Sequence, residues 1–454
     1  MTRTAALMGT ASLAVAMTNP VFAQSDAPVD QGPANAEFEP AFPEQTRAPA
    51  VTSEGALATE SLASGLVHPW GIAILPEGAG YLVTERTGQL RHVSSEGELS
   101  GPITGAPEVY NQEQGGLLDV AIGPDFASDR WVYFTYSKPL ASNGMSATAA
   151  ARGKLSEDLG QITQMEEIFV QEPGSPSPMH YGSRVVFDDA GHVFITTGEH
   201  FTEDQRVYAQ DKDKTYGKVV RLNLDGSIPE DNPFVGEGKA IESIWSLGQR
   251  NIQGAAVNPE TGDLWTIEHG PAGGDELNLQ EAGANYGWPV VSYGVNYDGS
   301  PVGSEKAAHE PEGFVEPRYY WDPVIAPGDM TFYDGEMFPE WQGDALIGGL
   351  VAGGIVRLVL DGDTVTGEER ILSELGRTRD VAVDDDGSLL LITDFEDGEL
   401  IRVTAEGGTG TTDATDEGAM SDSADEGGMG DDASSDDAAP GGDTGGAMED
   451  DATQ

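Results

Sequence analysis

Residues 185–200 read VVFDDAGHVFITTGEH, and residues 255–270 read AAVNPETGDLWTIEHG. Each stretch is an apolar run, then a turn rich in Asp, Asn, Pro or Gly, then a second apolar run that ends on polar residues. Short apolar runs separated by turn-forming residues are typical of β-hairpins. We therefore predict that each stretch is one antiparallel hairpin.

The same pattern recurs four more times, which makes it a weak internal repeat. The further copies cover residues 72–86, 120–137, 330–350 and 381–395. Shorter strand-like runs lie between the copies, and no long segment has helical periodicity. A pair of β-sandwiches would need fewer and more evenly spaced strands. Six such repeats predict an all-β fold, a six-bladed β-propeller with four-stranded antiparallel blades.

The regions that flank the repeats differ from them in composition. Residues 1–23 have a basic start, a short apolar run and a small-residue cleavage site, which predict a signal peptide for export to the periplasm or for secretion. Residues 24–55, rich in Pro, Ala and Gln, are predicted to be a disordered linker. The propeller is assigned to residues 56–404. Residues 405–454 carry fifteen acids and no base, which predicts an acidic disordered tail.

Composition excludes several classes of function. The chain has 78 acidic and 23 basic residues and a formal charge of −55, which argues against binding to nucleic acid or anionic membranes. After the signal peptide no stretch is long enough to insert into a membrane. The absence of cysteine excludes disulfides and thiolate chemistry. The sequence does not decide between a monomer and a homodimer.

Candidate catalytic residues stand at the ends of the predicted hairpins, where the loops of a propeller meet at one mouth of the channel. His180 lies in the loop that enters the third hairpin and suits a general base near neutral pH. Glu199 ends the paired strand, within reach of that imidazole. A surface histidine in a loop is an equally good interpretation of His180. Spacing alone does not rank it above His200 and His269.

Two glycine-containing stretches indicate a ligand site. LGQRNIQG (residues 247–254) places Arg250 beside Asn251, a cation next to an amide. IEHGPAGGDELN (residues 267–278) places carbonyls at Gly270-Pro271 just before two carboxylates. Carbonyls and carboxylates around a tight turn are what Ca²⁺ prefers. The two stretches predict a metal-assisted site for an anionic or carbonyl-bearing ligand.

Two further loops carry polar residues in the same position relative to a hairpin. Gln114 precedes two glycines that allow close backbone approach, although a simple turn is the favoured interpretation. Arg377 and Arg379 are one residue apart on an extended chain, so their side chains point the same way. Such a pair suits two carboxylates of a ligand. The alternative is a salt bridge with Asp380 or with the acidic surface.

Taken in order, stretches such as PWGIAILPEG, HYGSRVVF, GQRNIQG, EHGPAGGDELN and RTRDV resemble a known family. They are similar to the soluble aldose sugar dehydrogenases that depend on pyrroloquinoline quinone (PQQ), in the glucose/sorbosone dehydrogenase family. The resemblance covers residues 57–403. It implies a six-bladed propeller that oxidises aldose sugars at the anomeric carbon to lactones with PQQ and calcium. The electron acceptor is not implied.

The resemblance also implies roles for individual residues. His180 corresponds to the catalytic base, Glu199 to its orienting acid, and Arg250 to a residue that stabilises charge on the quinone. The implied cofactor contacts are Gln114, Arg250, Asn251, Leu350, Arg377 and Arg379. The implied calcium ligands are Gly270, Pro271, Glu276 and Tyr286, and the implied substrate contact is Tyr297. Several relatives have a lysine near Leu350 that binds a cofactor carboxylate, whereas this chain reads GGLVAGGIV.

Two other functions remain open from the sequence. Calcium-dependent sugar lactonases are also six-bladed propellers, but a lactonase needs a hydrolytic water and no quinone, and it leaves the arginine pair unexplained. A non-catalytic propeller that binds an extracytoplasmic partner leaves His180 and Glu199 without a role.

Overall fold

The fold is built from short antiparallel strands. The computed structural model describes residues 27–141, 144–303 and 307–406. The predicted signal peptide and residues 407–454 of the predicted tail lie outside these ranges. Within the described ranges no helix is both long and apolar enough to cross a bilayer.

The strands form six sheets that follow one another along the chain. Blade 1 contains β2 (Pro69–Ile74), β3 (Tyr81–Glu85) and β4 (Gln89–Val93). Blade 2 contains β5 (Leu117–Ile122), β6 (Trp131–Pro139), β7 (Ser146–Leu155) and β8 (Ile162–Val170). Blade 3 contains β9 (Gly182–Phe187), β10 (His192–Thr197), β11 (Lys218–Asn223) and β12 (Ile244–Leu247).

The second half of the chain continues the series. Blade 4 contains β13 (Ile252–Val257), β14 (Leu264–Glu268), β15 (Asp275–Leu279) and β16 (Tyr319–Trp321). Blade 5 contains β17 (Pro327–Phe332), β18 (Ala345–Gly349), β19 (Ile355–Asp361) and β20 (Thr364–Ile371). Blade 6 contains β21 (Thr378–Val383), β22 (Leu389–Thr393), β23 (Gly398–Ala405) and β1 (Leu57–Leu66). The described helices are short: α1 (Phe126–Asp129), α2 (Glu203–Arg206) and six 3₁₀ turns, Pro43–Gln45, Pro76–Gly78, Val207–Gln210, Glu310–Glu312, Pro339–Trp341 and Ser373–Leu375.

Each predicted hairpin forms the two innermost strands of a blade. In blade 3, for example, Val185 pairs with Ile195 and Phe187 pairs with Val193 across the predicted turn. The innermost strands pack against one another in a ring. Their order is β2, β5, β9, β13, β17 and β21, and β21 packs against β2 to close the ring. The predicted six-bladed propeller is thereby confirmed. Blade 1 has three regular strands, and isolated bridges from Leu90 to Ile103 and from Val93 to Leu99 supplement its outer edge.

The ring closes through blade 6, which combines both ends of the described fold. Strand β1 pairs antiparallel with β23, from Leu57 opposite Ala405 to Leu66 opposite Gly398. Apolar clusters fill the space between neighbouring blades. Leu82 of blade 1, for example, packs with Leu117, Val120 and Phe134 of blade 2. Burial between blades, rather than within one sheet, therefore holds the ring together.

One buried arginine of blade 3 contacts the five other blades at the centre of the channel. The guanidinium of Arg184, the third residue of β9, lies 3.0–3.1 Å from carboxylate oxygens of Asp119, Asp329 and Asp380. Each of these acids is the third residue of its own innermost strand. Arg184 also donates to the carbonyl of Gln253 at 2.6 Å and lies 4.1 Å from the ring of Trp70. The shared position shows that the innermost strands run in the same direction.

The disordered linker predicted for residues 24–55 is corrected by the structure from residue 27 onward. Ala48 and Val51 are buried, and Ala50 forms a bridge with Glu368 of blade 5. The main-chain N–H groups of Asn35 and Ala36 donate to Asp322 at 2.8 and 2.9 Å. These partners lie far away in sequence, so local composition gives no sign of them. The segment packs along the outside of blades 4 and 5.

Candidate active site at one mouth of the channel

The predicted site residues gather at one end of the propeller. All the innermost strands run in the same direction, and each is antiparallel to the second strand of its blade. The start of every innermost strand and the end of every second strand therefore lie at the same mouth of the channel. Residues at the start of an innermost strand, or up to three residues before it, are Gln114, His180, Arg250, Asn251, Arg377 and Arg379. Positions just after a second strand are Glu199, Gly270, Pro271 and Leu350. Glu276 lies on β15, and Tyr286 and Tyr297 lie on the loop that follows it.

His180 and Glu199 form a buried pair. Nδ1 of His180 lies 3.3 Å from Oε1 of Glu199, and neither atom has an aligned hydrogen-bond partner among the described residues. The main-chain N–H of His180 donates to Oε1 of Gln114 at 2.8 Å, and the main-chain N–H of Phe201 donates to Oε2 of Glu199. His180 has a φ of 49°, a left-handed conformation. Gln114 thus holds the main chain at His180.

Arg250 joins this pair from the next blade. Its Nε lies 4.0 Å from Oε1 of Glu199 and is buried without a hydrogen-bond partner in the described chain. Its Nη1 donates to the carbonyl of His269 at 2.9 Å, and its guanidinium lies 5.3 Å from the ring of Trp288. Three buried polar atoms, Nδ1 of His180, Oε1 of Glu199 and Nε of Arg250, therefore face one another with unused hydrogen-bonding capacity.

The protonation states of the pair follow from its surroundings. Burial and then the positive charge of Arg250 hold the pKa of His180 below 6.5, against the opposing effect of Glu199. Burial raises the pKa of Glu199, but His180, Arg250 and the N–H of Phe201 together outweigh it and hold that pKa below 4.5. A neutral imidazole beside a carboxylate is the arrangement of a general base with its orienting acid.

The other two histidines near the mouth are occupied by main-chain and amide groups. Nε2 of His269 lies 2.7 Å from the carbonyl of Pro327, and burial lowers the pKa of His269 to about 3. Both ring nitrogens of His200 lie within 3 Å of acceptors, the carbonyl of Met179 and the amide of Gln171. The structure therefore favours His180 among the three, a ranking that sequence spacing did not give.

The arginine pair binds a carboxylate of the protein. Arg377 and Arg379 both donate to Oδ2 of Asp394, at 3.0 and 2.6 Å, so the two side chains do point the same way. The alternative partner Asp380 is wrong, because Asp380 pairs with Arg184 instead. The Arg377 side chain is 43% exposed, which leaves donors free for a ligand, whereas Arg379 is buried.

The sequence analysis did not identify three further residues at this mouth, His68, Arg86 and Asp394. His68 lies 3.1 Å from Asp394, and Arg86 donates to the carbonyl of Glu113, next to Gln114. Burial raises the pKa of Asp394, but the charges of Arg379, Arg86 and Arg377 and the hydrogen bond from His68 hold it well below 3.8. Arg86 and Asp394 each lie just after the second strand of a blade, as Glu199 does. That position is the sequence signal that could have identified them.

The turn at Gly270-Pro271 offers main-chain oxygens. Both residues are buried, and no described residue donates a hydrogen bond to either carbonyl. Asp275 does not add a free carboxylate, because it accepts the N–H groups of Gly270, Ile325 and Ala326 at 2.8 Å each. Asp275 therefore shapes the turn and leaves the two carbonyls available.

A small cavity of about 10 Å³ lies beside this turn, lined among others by Arg250, Glu268, Gly270, Glu276 and Tyr286. Burial raises the pKa of Glu268 to about 8, and burial together with Glu268 raises that of Glu276 well above 4.5. The hydroxyl of Tyr286 donates to Leu279 O at 2.6 Å and accepts the N–H of Glu281. The two buried carboxyls lie side by side and their pKa values are raised. A bound cation would favour their ionised forms, so the pair suits a cation. The described residues nevertheless contain no cluster of three His, Asp or Glu suited to a metal.

A larger cavity of about 330 Å³ opens at the mouth. Its lining includes Glu199, Phe201, Arg250, Pro271, Trp288 and Tyr297. Tyr297 is 58% exposed and its ring centroid lies 6.4 Å from that of Phe201, so the two form an aromatic rim. Leu350 is buried, and its main-chain N–H donates to Ala326 O. Because its side chain is apolar, it brings no charge to the site.

Comparison with known proteins agrees with this architecture. The family model described as Glucose / Sorbosone dehydrogenase matches residues 66–402. The aldose sugar dehydrogenase YliI of Escherichia coli (strain K12) is 43% identical over 346 residues, which cover 76% of this chain and 92% of the relative.

Two solved structures match over most of their length. The apo-form of the soluble aldose sugar dehydrogenase from Escherichia coli matches with a TM-score of 0.73 and 43% identity, over 77% of this chain and all of that one. The PQQ-bound form of aldose sugar dehydrogenase from Streptomyces coelicolor matches with a TM-score of 0.62 and 26% identity, over 78% of this chain and 99% of that one. Since the family model matches residues 66–402, most of the propeller, the chain belongs to the glucose/sorbosone dehydrogenase family.

Proposed function

We propose that the chain is an aldose sugar dehydrogenase that oxidises the anomeric carbon to a lactone, with PQQ as the hydride acceptor and calcium as the Lewis acid. The observation that carries the proposal is the cluster of His180, Glu199 and Arg250, with unused hydrogen-bonding capacity, beside two free carbonyls. The proposal takes its substrate class and cofactor from the names of the similar proteins. The electron acceptor that reoxidises the cofactor is not identified by these residues.

The mouth fits a flat polyanionic quinone. A cavity of about 330 Å³ lies within the range of small-molecule sites. Arg377, with its half-exposed guanidinium, and Arg250 bring positive charge to a protein that is otherwise strongly acidic. Gln114 and Asn251 are already committed to the main chain at His180 and Gly182, so they shape the site more than they bind a ligand.

The carbonyls of Gly270 and Pro271 fit calcium, which prefers oxygen ligands at a tight turn. Glu276 and the main-chain carbonyl of Tyr286 are candidates for a second calcium in the small cavity, since the Tyr286 hydroxyl is engaged elsewhere. When bound, PQQ supplies the two-electron oxidant and calcium the Lewis acid that polarises it. The protein supplies position, charge and a base.

His180 accepts the proton of the anomeric hydroxyl at Nε2, because Nδ1 faces Glu199 and no described residue bonds to Nε2. Glu199 stabilises the imidazolium that forms. The guanidinium of Arg250 lies where it stabilises negative charge that develops on the oxidant. Tyr297 and Phe201 form an aromatic rim on which a sugar ring stacks.

We predict that chelation inactivates the protein and that calcium with PQQ restores it. The reason is that the described residues offer carbonyls but no imidazole or carboxylate cluster that would retain a metal tightly. The measurement is dye reduction by aldoses with the full chain, before chelation, after chelation and after reconstitution. Magnesium with PQQ serves as the matched control, since Mg²⁺ demands stricter octahedral geometry.

The same samples separate the alternative functions. Hydrolysis of an aldonolactone without PQQ indicates a lactonase, and no turnover of either substrate indicates a binding module. Full dye reduction by a chelated, cofactor-free sample contradicts the cofactor assignment.

We predict that Arg377→Gln weakens PQQ binding about tenfold, the loss of roughly one charge-assisted contact. Asp394 keeps its hydrogen bond from Arg379 in this variant, so the fold should tolerate the change. Arg318→Gln is the matched control, because Arg318 also pairs with one carboxylate at 3.0 Å, on Asp363. The measurement is the PQQ dissociation constant by calorimetry. Equal constants for both variants remove Arg377 from the cofactor site.

We predict that the midpoint of the acidic limb of kcat/KM lies below pH 6.5. His180 must be neutral to accept the proton, and burial with Arg250 holds its pKa below 6.5. Glu199→Gln removes the group that raises this pKa, so the acidic limb should move to still lower pH. A pH profile of the two proteins checks both statements, and a limb at or above pH 6.5 in the unmodified protein contradicts them.

A further inference from the structure

The segment of residues 35–47, here called the strap, lies before the propeller and has no role in the proposed mechanism. The family match reported above begins after this segment. Thr46 donates to the carbonyl of Tyr320, on the outermost strand β16 of blade 4, at 2.9 Å. Arg47 donates to the carbonyl of Asp322, just after β16, at 2.7 Å. Strands two places apart in an antiparallel sheet run the same way, so β16 ends at the same mouth as β14. The strap is therefore attached to blade 4 at the mouth of the candidate site.

Asp322 carries a buried carboxylate that binds the strap. Its Oδ1 accepts the main-chain N–H and the side-chain Nδ2–H of Asn35, both at 2.8 Å. Its Oδ2 accepts the main-chain N–H of Ala36 at 2.9 Å. Among the described residues, these three donors are the hydrogen-bond partners of the carboxylate. A buried carboxylate without donors is costly in free energy, so these bonds hold Asp322 and the strap together.

Asp322 in turn lies against the loop that contains the proposed calcium turn. A Cβ atom at Gly273, where φ is 82°, would lie 2.5 Å from Oδ1 of Asp322. Gly274 donates its N–H to the carbonyl of Trp321 at 2.7 Å. A Cβ atom at Gly270 would lie 2.3 Å from main-chain atoms of both Gly273 and Gly274. Close main-chain contacts therefore connect Asp322 to Gly270.

We propose that the strap is a positioning element for the carbonyls of Gly270 and Pro271 and that it raises the affinity of this turn for calcium. The calcium part rests on the proposed function. Main-chain carbonyls bind calcium only when the turn keeps each oxygen within about 2.3–2.6 Å of the ion. A turn that is already fixed loses less conformational freedom when the metal binds. Asp275 holds the N–H of Gly270 from within blade 4, and the strap supports the same loop from the outside.

The variant Ala36→Pro tests the strap without changing the propeller. Proline has no N–H, so the hydrogen bond to Oδ2 of Asp322 is lost. Ala34→Pro is the matched control, because Ala34 is exposed and its N–H bonds to no described residue. The measurement is amide hydrogen exchange of the metal-free full chain, read at Gly274. We expect exchange about tenfold faster in Ala36→Pro, the effect of losing one hydrogen bond to a charged group, and no change in the control.

Exchange in β5 of blade 2 shows whether the effect is local. Unchanged exchange at Gly274 in Ala36→Pro overturns the proposal. Exchange that becomes faster in β5 to the same extent also overturns it, because that result indicates a loss of overall stability. Arg47→Met serves as a second variant if Ala36→Pro does not fold. It loses the hydrogen bond to the carbonyl of Asp322 and should also speed exchange at Gly274.

The calcium part is measured separately. Calcium is titrated into the metal-free full chain in the presence of PQQ, and the absorbance of PQQ reports binding. We expect the midpoint to lie at about tenfold higher calcium in Ala36→Pro than in Ala34→Pro. Equal midpoints contradict the calcium part of the proposal. If the unmodified protein binds no calcium, the cofactor assignment and the calcium part both fail, while exchange at Gly274 still decides whether the strap fixes the turn.

Discussion

Replacing His180 by asparagine is expected to lower kcat for aldose oxidation by ~100- to 10,000-fold, the usual contribution of a general base. Asparagine is preferred to alanine because His180 has a φ of 49°, a conformation that asparagine tolerates. Asparagine has no basic nitrogen, so proton transfer is lost while the loop is retained. The measurement is the steady-state rate with saturating PQQ and calcium.

Binding of PQQ separates loss of chemistry from loss of the site. The cofactor contacts proposed above involve other residues, so the dissociation constant should change little in His180→Asn. His92→Asn is the control, because His92 lies on the outer strand of blade 1 and its imidazole bonds only to the carbonyl of Ala79 among the described residues. A rate near that of the unmodified protein, with cofactor bound, removes His180 from the mechanism.

Replacing Arg184 by methionine is expected to lower the free energy of unfolding by about 3–5 kcal/mol, the range for breaking a buried ion pair on one side. Asp119, Asp329 and Asp380 would then lie together without a positive charge. Burial already raises the pKa of Asp119 to about 6 and that of Asp329 well above 3.8, even with Arg184 present. The measurement is urea unfolding at pH 8 and at pH 5.

The loss should be smaller at pH 5 than at pH 8. In the variant the native-state pKa values of Asp119 and Asp329 rise further, so the folded protein gains protons as the pH falls and recovers part of its stability. Arg402→Met is the control, because Arg402 pairs with Asp384 and Asp386 on the outer side of blade 6 and is 25% exposed. That loss should stay near 1 kcal/mol or below. Equal losses for both variants contradict the central role of Arg184.

The hairpins were predictable because each one carries its own signal. In residues 185–200 the apolar runs become β9 and β10, and the Asp-Asp-Ala-Gly segment becomes the turn. Turn chemistry and apolar runs act over a few residues, so sequence alone reveals them. The gathering of site residues at one mouth followed from the same repeat, since loops at equivalent positions of a ring must meet.

Side-chain partners were less predictable because they depend on neighbouring elements. Asp394 is the partner of Arg377 and Arg379, yet Asp380 is adjacent in sequence and was considered instead. The register of blade 6 explains the outcome: Thr378 pairs with Thr393, which places Asp394 beside the arginines. Asp380 points toward Arg184 in the channel. Alternation along β21 therefore places Asp380 on the opposite side from Arg377 and Arg379.

The N-terminal segment was mispredicted for a different reason. Its composition is typical of a linker, but Ala48 and Val51 are buried against blade 5 and Arg47 donates to the carbonyl of Asp322 at 2.7 Å. A segment without internal periodicity is ordered here by a surface formed more than 270 residues later. Composition describes what a segment does alone, and not what a finished surface does to it.

The central claim is that one mouth of the channel holds the cofactor between His180, Arg250 and the Gly270-Pro271 turn. The most direct measurement is a crystal structure of the full chain grown with PQQ and calcium. We expect calcium on the carbonyls of Gly270 and Pro271 and the quinone beside Arg250, with His180 facing it. A quinone bound at the opposite end of the channel, beyond Arg184, or calcium bound away from that turn would contradict the account.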